Sequence, residues 1–169
     1  MSLKKLAANY AAFNNWANQT VIDWLGSLDE ALLYRQTPSS FSSLDYTLQH
    51  ILRTQVFWHL FITGQDYSHL KWAVREQEVG RILHELSEIS ALMEQDFGAF
   101  EEPDLLTELT LNTPWAKNRL ARYEYIIHVV NHSSFHRGQL VTMARQLGIS
   151  DGIPNTDYNI FNTIRFAGQ

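Results

Sequence analysis

Hydrophobic residues recur at alternating spacings of three and four along most of the chain, which is the period of an α-helix with one buried face. Three of these runs end at a glycine, namely Gly26, Gly64 and Gly148. Glycine is favoured just beyond a helix because it adopts the left-handed conformation without steric cost. The pattern therefore predicts four long helices, over residues 3–26, 41–62, 79–93 and 117–147.

The segments between these runs have a different composition. Pro38-Ser39-Ser40 interrupts the chain after the first helix, and Pro103 ends what remains of the third helix. Residues 105–113 alternate between apolar and polar side chains, which predicts an extended segment or one arm of a hairpin. Because strand signals are otherwise almost absent, we predict an all-α fold, a four-helix bundle, in a single domain over residues 1–169.

Composition narrows the class of protein further. The chain has 169 residues, of which 45% are hydrophobic and 18% are charged, so it should fold into a globular core. Its net charge of −5 argues against a general nucleic-acid binder, and the lack of cysteine excludes disulfides and thiolate ligands. No apolar run approaches the roughly 20 residues that span a bilayer. We expect a cytoplasmic protein with no membrane or nucleic-acid partner.

The second predicted helix has apolar residues on two sides. Leu48 and Ile51 lie on one seam, whereas Phe57 and Phe61 share the opposite side with His50. A helix that is buried on two faces can line an internal pocket with one face and contact a neighbouring helix or subunit with the other. This pattern predicts a pocket beside the helix, and it also predicts a homodimer, because large apolar patches are rarely exposed on a monomer.

Three histidines lie four residues apart in the fourth predicted helix, at His128, His132 and His136. Four residues advance a helix by a little over one turn, so His132 and His136 lie on one face with Cβ atoms roughly 6 Å apart. That face is otherwise apolar, where an unpaired imidazole costs free energy. A metal ion would satisfy both rings, and hydrogen bonds to serine, asparagine or water are the alternative.

A metal site needs at least three protein ligands, and the candidates for the third are His50, His59, His69, His84 and His128. Glu88 follows His84 where a zinc-protease motif would require a second histidine, so that motif is absent. His128 is about two turns from His136, which favours a structural or supporting role over ligation. His50 lies in the middle of the second helix and could face the fourth helix.

Residues near the histidines are expected to support them. Gln139 lies one turn beyond the last histidine, where it could reach a bound water or a ring nitrogen, or bond a neighbouring helix instead. We expect Gln139 and Asn131 to help fix the histidine helix without binding the metal. Arg137 is expected to face solvent or a dimer partner. The acidic residues that could enter the site are Glu124 and Asp157, although their spacing does not place them.

The segment from His128 to Gln139 reads His-Val-Val-Asn-His-x-x-x-His-Arg-Gly-Gln, and this string resembles the signature of the DinB family, also described as DinB/YfiT-like metalloproteins. The resemblance covers most of the chain. Residues 9–25 are similar to the first helix of that family, residues 40–51 to its second-helix ligand segment, and residues 154–158 to its C-terminal pattern.

The resemblance implies an up-down-down-up four-helix bundle, commonly a homodimer, that holds one divalent metal ion per chain. Carried onto matching positions, the ligands are His50, His132 and His136. Imidazole ligands suit zinc, nickel or another first-row transition metal, so the identity of the ion stays open. The catalytic residues are not assigned by the resemblance.

Three neutral imidazoles leave at least one coordination position free, which is typical of a catalytic metal site. An ion so held can lower the pKa of a bound water or thiol and polarise a substrate oxygen. The resemblance implies a small-molecule substrate and a transferase or isomerase that uses a low-molecular-weight thiol, with a hydrolase as the other reaction. The alternative is a non-catalytic metal-binding or stress-response protein, because no carboxylate stands in a recognisable acid–base motif.

Overall fold

The structure, a computed structural model, describes residues 2–70 and 78–167. The predicted loop over residues 65–76 therefore lies partly outside the described residues. In chain order the described elements are helices α1 (Leu3–Gly26), α2 (Glu30–Leu33), α3 (Leu44–Thr63), α4 (Val79–Ala99) and α5 (Glu102–Leu106), strands β1 (Glu108–Asn112) and β2 (Lys117–Ala121), and helices α6 (Arg122–Gln146) and α7 (Tyr158–Ala167).

The four long helices, α1, α3, α4 and α6, form the predicted bundle. Helix α1 runs antiparallel to α4 and parallel to α6, whereas α3 runs parallel to α4 and antiparallel to α6, so the order is up-down-down-up. Contacts that set these directions are Asn15 with Glu94, Asn18 with Ser90, Gln55 with Ser90, His59 with Asp96, Thr47 with Met143, and His50 with His132.

The predicted helix ends are largely confirmed. Helix α1 has the predicted bounds, and α3 ends at a left-handed Gly64 with φ of 76°. Helix α4 continues six residues beyond the predicted end at Met93, to Ala99. Pro103 does not end that helix. It lies in the first turn of α5, where the missing N–H of proline has no cost because no intrahelical acceptor is available there.

The prediction that the fourth helix begins at residue 117 is wrong. Residues Lys117–Ala121 form β2, which pairs antiparallel with β1, so the alternating segment before Pro114 is one arm of a hairpin. Helix α6 begins only at Arg122, because the Glu124 carboxylate accepts a hydrogen bond from the Ala121 N–H at 3.0 Å and caps the helix there.

A chain of buried polar side chains connects all four long helices at the level of Arg137. The guanidinium of Arg137 donates to Asn18 Oδ1 at 2.7 Å, and Asn18 Nδ2 donates to Ser90 Oγ at 2.9 Å. Ser90 Oγ lies 3.2 Å from Gln55 Oε1, and Gln55 Nε2 donates to Ser133 Oγ at 3.1 Å. The chain thus begins and ends on α6 after crossing α1, α4 and α3.

The expectation that Arg137 faces solvent or a dimer partner is wrong. Its side chain is buried, with 3% of the residue exposed, and no carboxylate among the described residues pairs with it. Asn14 and Ser134 supply further acceptors at 3.2 and 2.8 Å. Burial lowers the pKa of Arg137 to about 9, so the side chain is still cationic at neutral pH. Helix α6 is packed on several sides, so the long side chain of Arg137 lies inside the bundle.

The second apolar face of α3 is covered within the chain. Phe57 and Phe61 are buried and contact Tyr67, and the ring of Trp115 lies 5.8 Å from that of Phe57. This face therefore lines a pocket, as predicted, but it leaves no exposed surface that requires a second subunit. The homodimer stays a prediction from the family resemblance. In the described part of the chain, no helix is long and apolar enough to cross a membrane.

The buried polar chain generates a stability prediction. Asn18→Ala removes an acceptor from the buried guanidinium of Arg137 and a donor to Ser90, so it should lower the free energy of unfolding by about 1.5–3 kcal/mol in urea titrations. Asn15→Ala is the matched control on the same helix. It removes a partly exposed hydrogen bond to Glu94 and should cost less than about 1 kcal/mol. Equal losses for the two variants would contradict a structural role for the buried chain.

Candidate metal centre

The structure brings His50, His132 and His136 together between α3 and α6. One ring nitrogen from each lies within 4.8 Å of the other two, which makes them a group that could hold a metal ion. The Nε2 atoms of His50 and His132 are 3.1 Å apart. The ring centroid of His136 lies 4.4 Å from that of His50 and 4.5 Å from that of His132. These are the three residues that the family resemblance implies as ligands.

Helix geometry explains the convergence. His132 and His136 are one turn apart on α6, and the antiparallel direction of α3 carries His50 past them at the same level. His50 lies outside the seam of Leu48 and Ile51, which face the core, so its ring points to the side of the bundle. The site is therefore at a helix–helix groove and is only partly covered, whereas the buried polar chain occupies the bundle axis.

The nitrogen spacing fits a single bound ion. Two nitrogens that bind one tetrahedral zinc ion at about 2.0–2.1 Å lie about 3.3–3.4 Å apart. The 3.1 Å between His50 Nε2 and His132 Nε2 is close to this value. Two imidazoles can also satisfy each other at this distance, by one N–H donating to the other nitrogen. The ring of His136 lies close to both of the others. Three converging imidazoles favour a bound cation over a simple hydrogen-bonded pair.

Gln139 orients the ring of His136. Its side-chain oxygen lies 2.7 Å from His136 Nδ1, and because an amide oxygen only accepts, Nδ1 carries the proton. The other nitrogen, Nε2, is then unprotonated and has a lone pair available for a metal ion. Gln139 Nε2 in turn donates to Ser40 Oγ at 3.0 Å, which ties α6 to the loop before α3. The expected contact of Gln139 with a ring nitrogen is confirmed.

A phenylalanine from the loop before α3 covers the histidines. The ring of Phe41 stacks on His50 with centroids 4.4 Å apart and lies 5.7 Å from His136. The alternating pattern of the chain gave no reason to place Phe41 here, because the prediction assigned it to the first turn of the helix. Its actual position in an irregular segment, held through Ser40, lets it shield one side of the group.

Burial keeps the imidazoles neutral. Burial, together with a smaller contribution from the neighbouring His136, lowers the pKa of His50 to about 4. Burial also lowers the pKa of His132 to about 4, with contributions from the positive charges that His136, His50 and His128 would carry. The pKa of His136 is lowered by burial, although its bond to Gln139 opposes this shift. Neutral imidazole is the form that binds metals.

A cavity of about 540 Å³ opens beside the histidines. His50 and His132 are part of its wall. The bundle contributes Thr54, Phe57 and Trp58 from α3, together with Tyr125 and His128 from α6, and the hairpin forms the opposite wall with Leu111, Trp115, Ala116, Asn118 and Leu120. The hairpin residues were not identified as part of a site, although the position of Trp115 directly after Pro114 marks a turn with an aromatic tip.

His128 lies on this wall but outside the group of three. Its ring centroid is 5.9 Å from that of His132 and 4.7 Å from the ring of Trp58. Burial lowers its pKa, so the ring is neutral at pH 7. The position agrees with the expectation that His128 supports the site without being a ligand.

The remaining candidates lie elsewhere. His59 is buried and bonds to Asp96 at 2.7 Å in the bundle, whereas His69 and His84 are exposed beside Asp66 and Glu88. Asn131 is exposed and lines a different depression, which also contains Asp157, so its role in fixing the histidine helix stays a prediction. Glu124 caps α6.

Solved structures share this fold at low sequence identity. YfiT from Bacillus subtilis, described as a probable metal-dependent hydrolase with an unusual four-helix bundle topology, aligns with a TM-score of 0.68 at 13% identity over 89% of this chain and 91% of that one. A DinB-like protein from Bacillus cereus ATCC 10987 aligns with a TM-score of 0.66 at 16% identity over 85% of this chain and 91% of that one.

Sequence comparison identifies the family. Protein DinB of Bacillus subtilis (strain 168) is 25% identical over 155 residues, which cover 88% of this chain and 89% of that protein. The family model described as "DinB family" matches residues 1–165. The fold, the histidine group and these matches agree, and the chain belongs to the DinB family.

Proposed function

We propose that this protein is a divalent-metal-dependent hydrolase of a small molecule, with the ion bound by His50, His132 and His136. The observation that carries the proposal is the convergence of three imidazoles, two of which, His50 and His132, line a largely apolar cavity. The description of its structural neighbour YfiT as a probable metal-dependent hydrolase supports the same reaction class. The expected ion is zinc, nickel or another first-row metal that imidazole binds.

The donor set suits catalysis more than a purely structural ion. Structural zinc sites generally have four protein ligands, whereas catalytic sites have three and leave a position for water or substrate. When bound, the metal ion supplies Lewis acidity, which lowers the pKa of a water or thiol and polarises a substrate oxygen. Here the open side of the histidine group faces the cavity, where a substrate has room to approach.

The protein residues would supply positioning and proton transfer. Gln139 fixes the tautomer of His136, and Phe41 restricts the ring of His50. His128 is not one of the three proposed ligands, yet its neutral imidazole lines the same cavity. It is positioned to accept a proton from a water molecule or a thiol there.

A second candidate is a thiol transferase. The observation that favours it is that no aspartate or glutamate of the described residues lines the cavity, so the wall lacks the carboxylate base that many hydrolases use. A low-molecular-weight thiol loses its proton more readily than water and depends less on such a base. A non-catalytic metal-binding or stress-response protein is the third outcome that experiments must separate.

The metal site can be tested directly. Purified protein that is loaded with zinc and then desalted should contain one ion per chain by elemental analysis, and His132→Ala or His136→Ala should abolish this binding. The same zinc-loaded protein should cleave a neutral aromatic ester such as naphthyl acetate, and activity should be lost together with the metal.

Two controls separate the candidates. His84→Ala, at an exposed histidine on α4, should keep both the metal and the activity. If the loaded protein consumes an added thiol in the presence of a chlorinated aromatic compound but cleaves no ester, the transferase is correct. Full zinc content in His132→Ala and His136→Ala would refute the ligand assignment, and a loaded protein that is inactive in both assays would favour the non-catalytic alternative.

The role of Gln139 can be tested through metal affinity. Gln139→Ala removes the acceptor that holds the tautomer of His136, so zinc affinity measured by competition with a chelator should fall about tenfold or more. Gln139→Glu keeps an oxygen acceptor and should bind zinc at least as tightly as the unmodified protein. Gln146→Ala, at an exposed glutamine near the end of the same helix, is the matched control. An unchanged zinc affinity in Gln139→Ala would show that this side chain only packs in the protein and does not support the metal site.

The lowered pKa values also predict how the metal-free protein responds to acid. His50 and His132 have a pKa of about 4 when folded and about 6.5 when unfolded, so the unfolded chain binds more protons between these values. The free energy of unfolding should therefore fall as the pH drops from about 6.5 to about 4. His132→Gln should reduce this slope in urea titrations, and His84→Gln should leave it unchanged. Identical slopes for all three proteins would contradict the prediction.

A further inference from the structure

The wall of the cavity beside the histidines is mostly apolar. Among the described residues, no lysine, arginine, aspartate or glutamate lines it, and most of the wall consists of aliphatic and aromatic side chains. Its few polar groups are largely engaged. The Thr54 hydroxyl donates to the backbone of α3, and the Tyr125 hydroxyl donates to Asn118 Oδ1 at 2.6 Å. A ligand therefore finds apolar surface and few polar partners.

The composition of this wall disfavours charged ligands. An ionised group that leaves water needs an opposite charge or several hydrogen bonds to offset the lost hydration, and away from the imidazoles of His50, His128 and His132 this wall supplies neither. A neutral molecule avoids that cost. The volume of about 540 Å³ lies within the range of about 300–1,000 Å³ in which proteins bind small organic ligands, so the cavity can enclose most of a molecule with one or two rings.

Trp115 indicates where the body of such a molecule would lie. It stands at the tip of the β1–β2 hairpin and lines the cavity, yet 59% of the residue is exposed. The centroid of its ring is 5.8 Å from that of Phe57, which lies on the bundle side of the cavity. Exposure of so large an apolar side chain at a pocket mouth is typical of a surface that a ligand covers.

We infer that the substrate is a neutral molecule with a flat apolar body, which packs against Trp115 and Phe57 while its reactive group lies beside the three histidines. This inference rests on the proposed function for the reactive end, and it adds the substrate class and a specificity-determining residue. Trp115 is assigned to binding the body of the substrate and takes no part in the chemistry, because it lies on the hairpin and not among the histidines.

The experiment measures the binding of two probes that share one ring system, naphthalene methanol, which is neutral, and naphthalene sulfonate, which is an anion. Calorimetric titration is performed with zinc-loaded and with chelated protein. The preference between the probes is read from the chelated protein, in which no bound cation attracts the sulfonate, and there the neutral probe should bind at least about tenfold more tightly than the anion. Trp115→Ala should weaken binding of the neutral probe by about tenfold while zinc content and thermal midpoint stay unchanged.

Two further variants sharpen the test. Leu106→Ala removes an apolar residue that is similarly exposed, at 56%, but does not line the cavity, and it should leave probe affinity unchanged. Ala116→Lys places a cation on the hairpin wall and should shift the preference at least about tenfold toward the sulfonate. Preference for the sulfonate in the unmodified protein, failure of both probes to bind, or unchanged binding in Trp115→Ala would each overturn the inference.

The proposed function and the inference about the substrate would be refuted by different results. If the neutral probe binds and depends on Trp115 but the protein binds no zinc, the proposed function fails and the assignment of the cavity stands. If zinc binds at the three histidines but the sulfonate is preferred, the assignment of the cavity fails and the metal centre stands.

Discussion

The buried cation of Arg137 constrains the whole bundle. A buried guanidinium without a carboxylate partner must donate its hydrogen bonds to neutral oxygens, and the structure supplies such acceptors at Asn14, Asn18 and Ser134. Through Asn18 the same network reaches α4 and α3 before it returns to α6 at Ser133. Rotating α6 about its axis would break these bonds and leave a charge unpaired in the core, so the rotation of this helix is fixed.

That fixed rotation places the histidines. His132 precedes Ser133 and His136 precedes Arg137, so when Ser133 and Arg137 face the bundle axis, the histidines lie about 100° away, toward α3. His50 meets them there from the partly exposed side of α3. The bundle thus separates two polar systems, a buried one that joins the four long helices through hydrogen bonds and another that is open to a cavity. We regard this separation as the reason that a site for chemistry can exist without weakening the core.

The sequence predicted the helices and the pair His132 and His136 on one helix face because both depend on local spacing. Helical periodicity and terminal glycines located the bundle, and the four-residue spacing put His132 and His136 on one face. His50 needed the family resemblance, because the sequence pattern left five histidines as candidates for the third ligand. Arg137 was placed wrongly, because a lone arginine usually lies at the surface and its asparagine partners are distant in sequence. Strand β2 was read as helix, since Lys117–Ala121 has no strong strand pattern and acquires its conformation from pairing with β1.

The central claim is that one divalent ion is held by His50, His132 and His136. X-ray absorption spectroscopy of the zinc-loaded protein, together with anomalous scattering from its crystals, tests this most directly. The account predicts one ion per chain between α3 and α6, with three imidazole nitrogens at about 2.0–2.1 Å and at least one further position taken by a non-protein ligand. An ion bound at another place, or one whose ligands are carboxylates and not these three imidazoles, would contradict it.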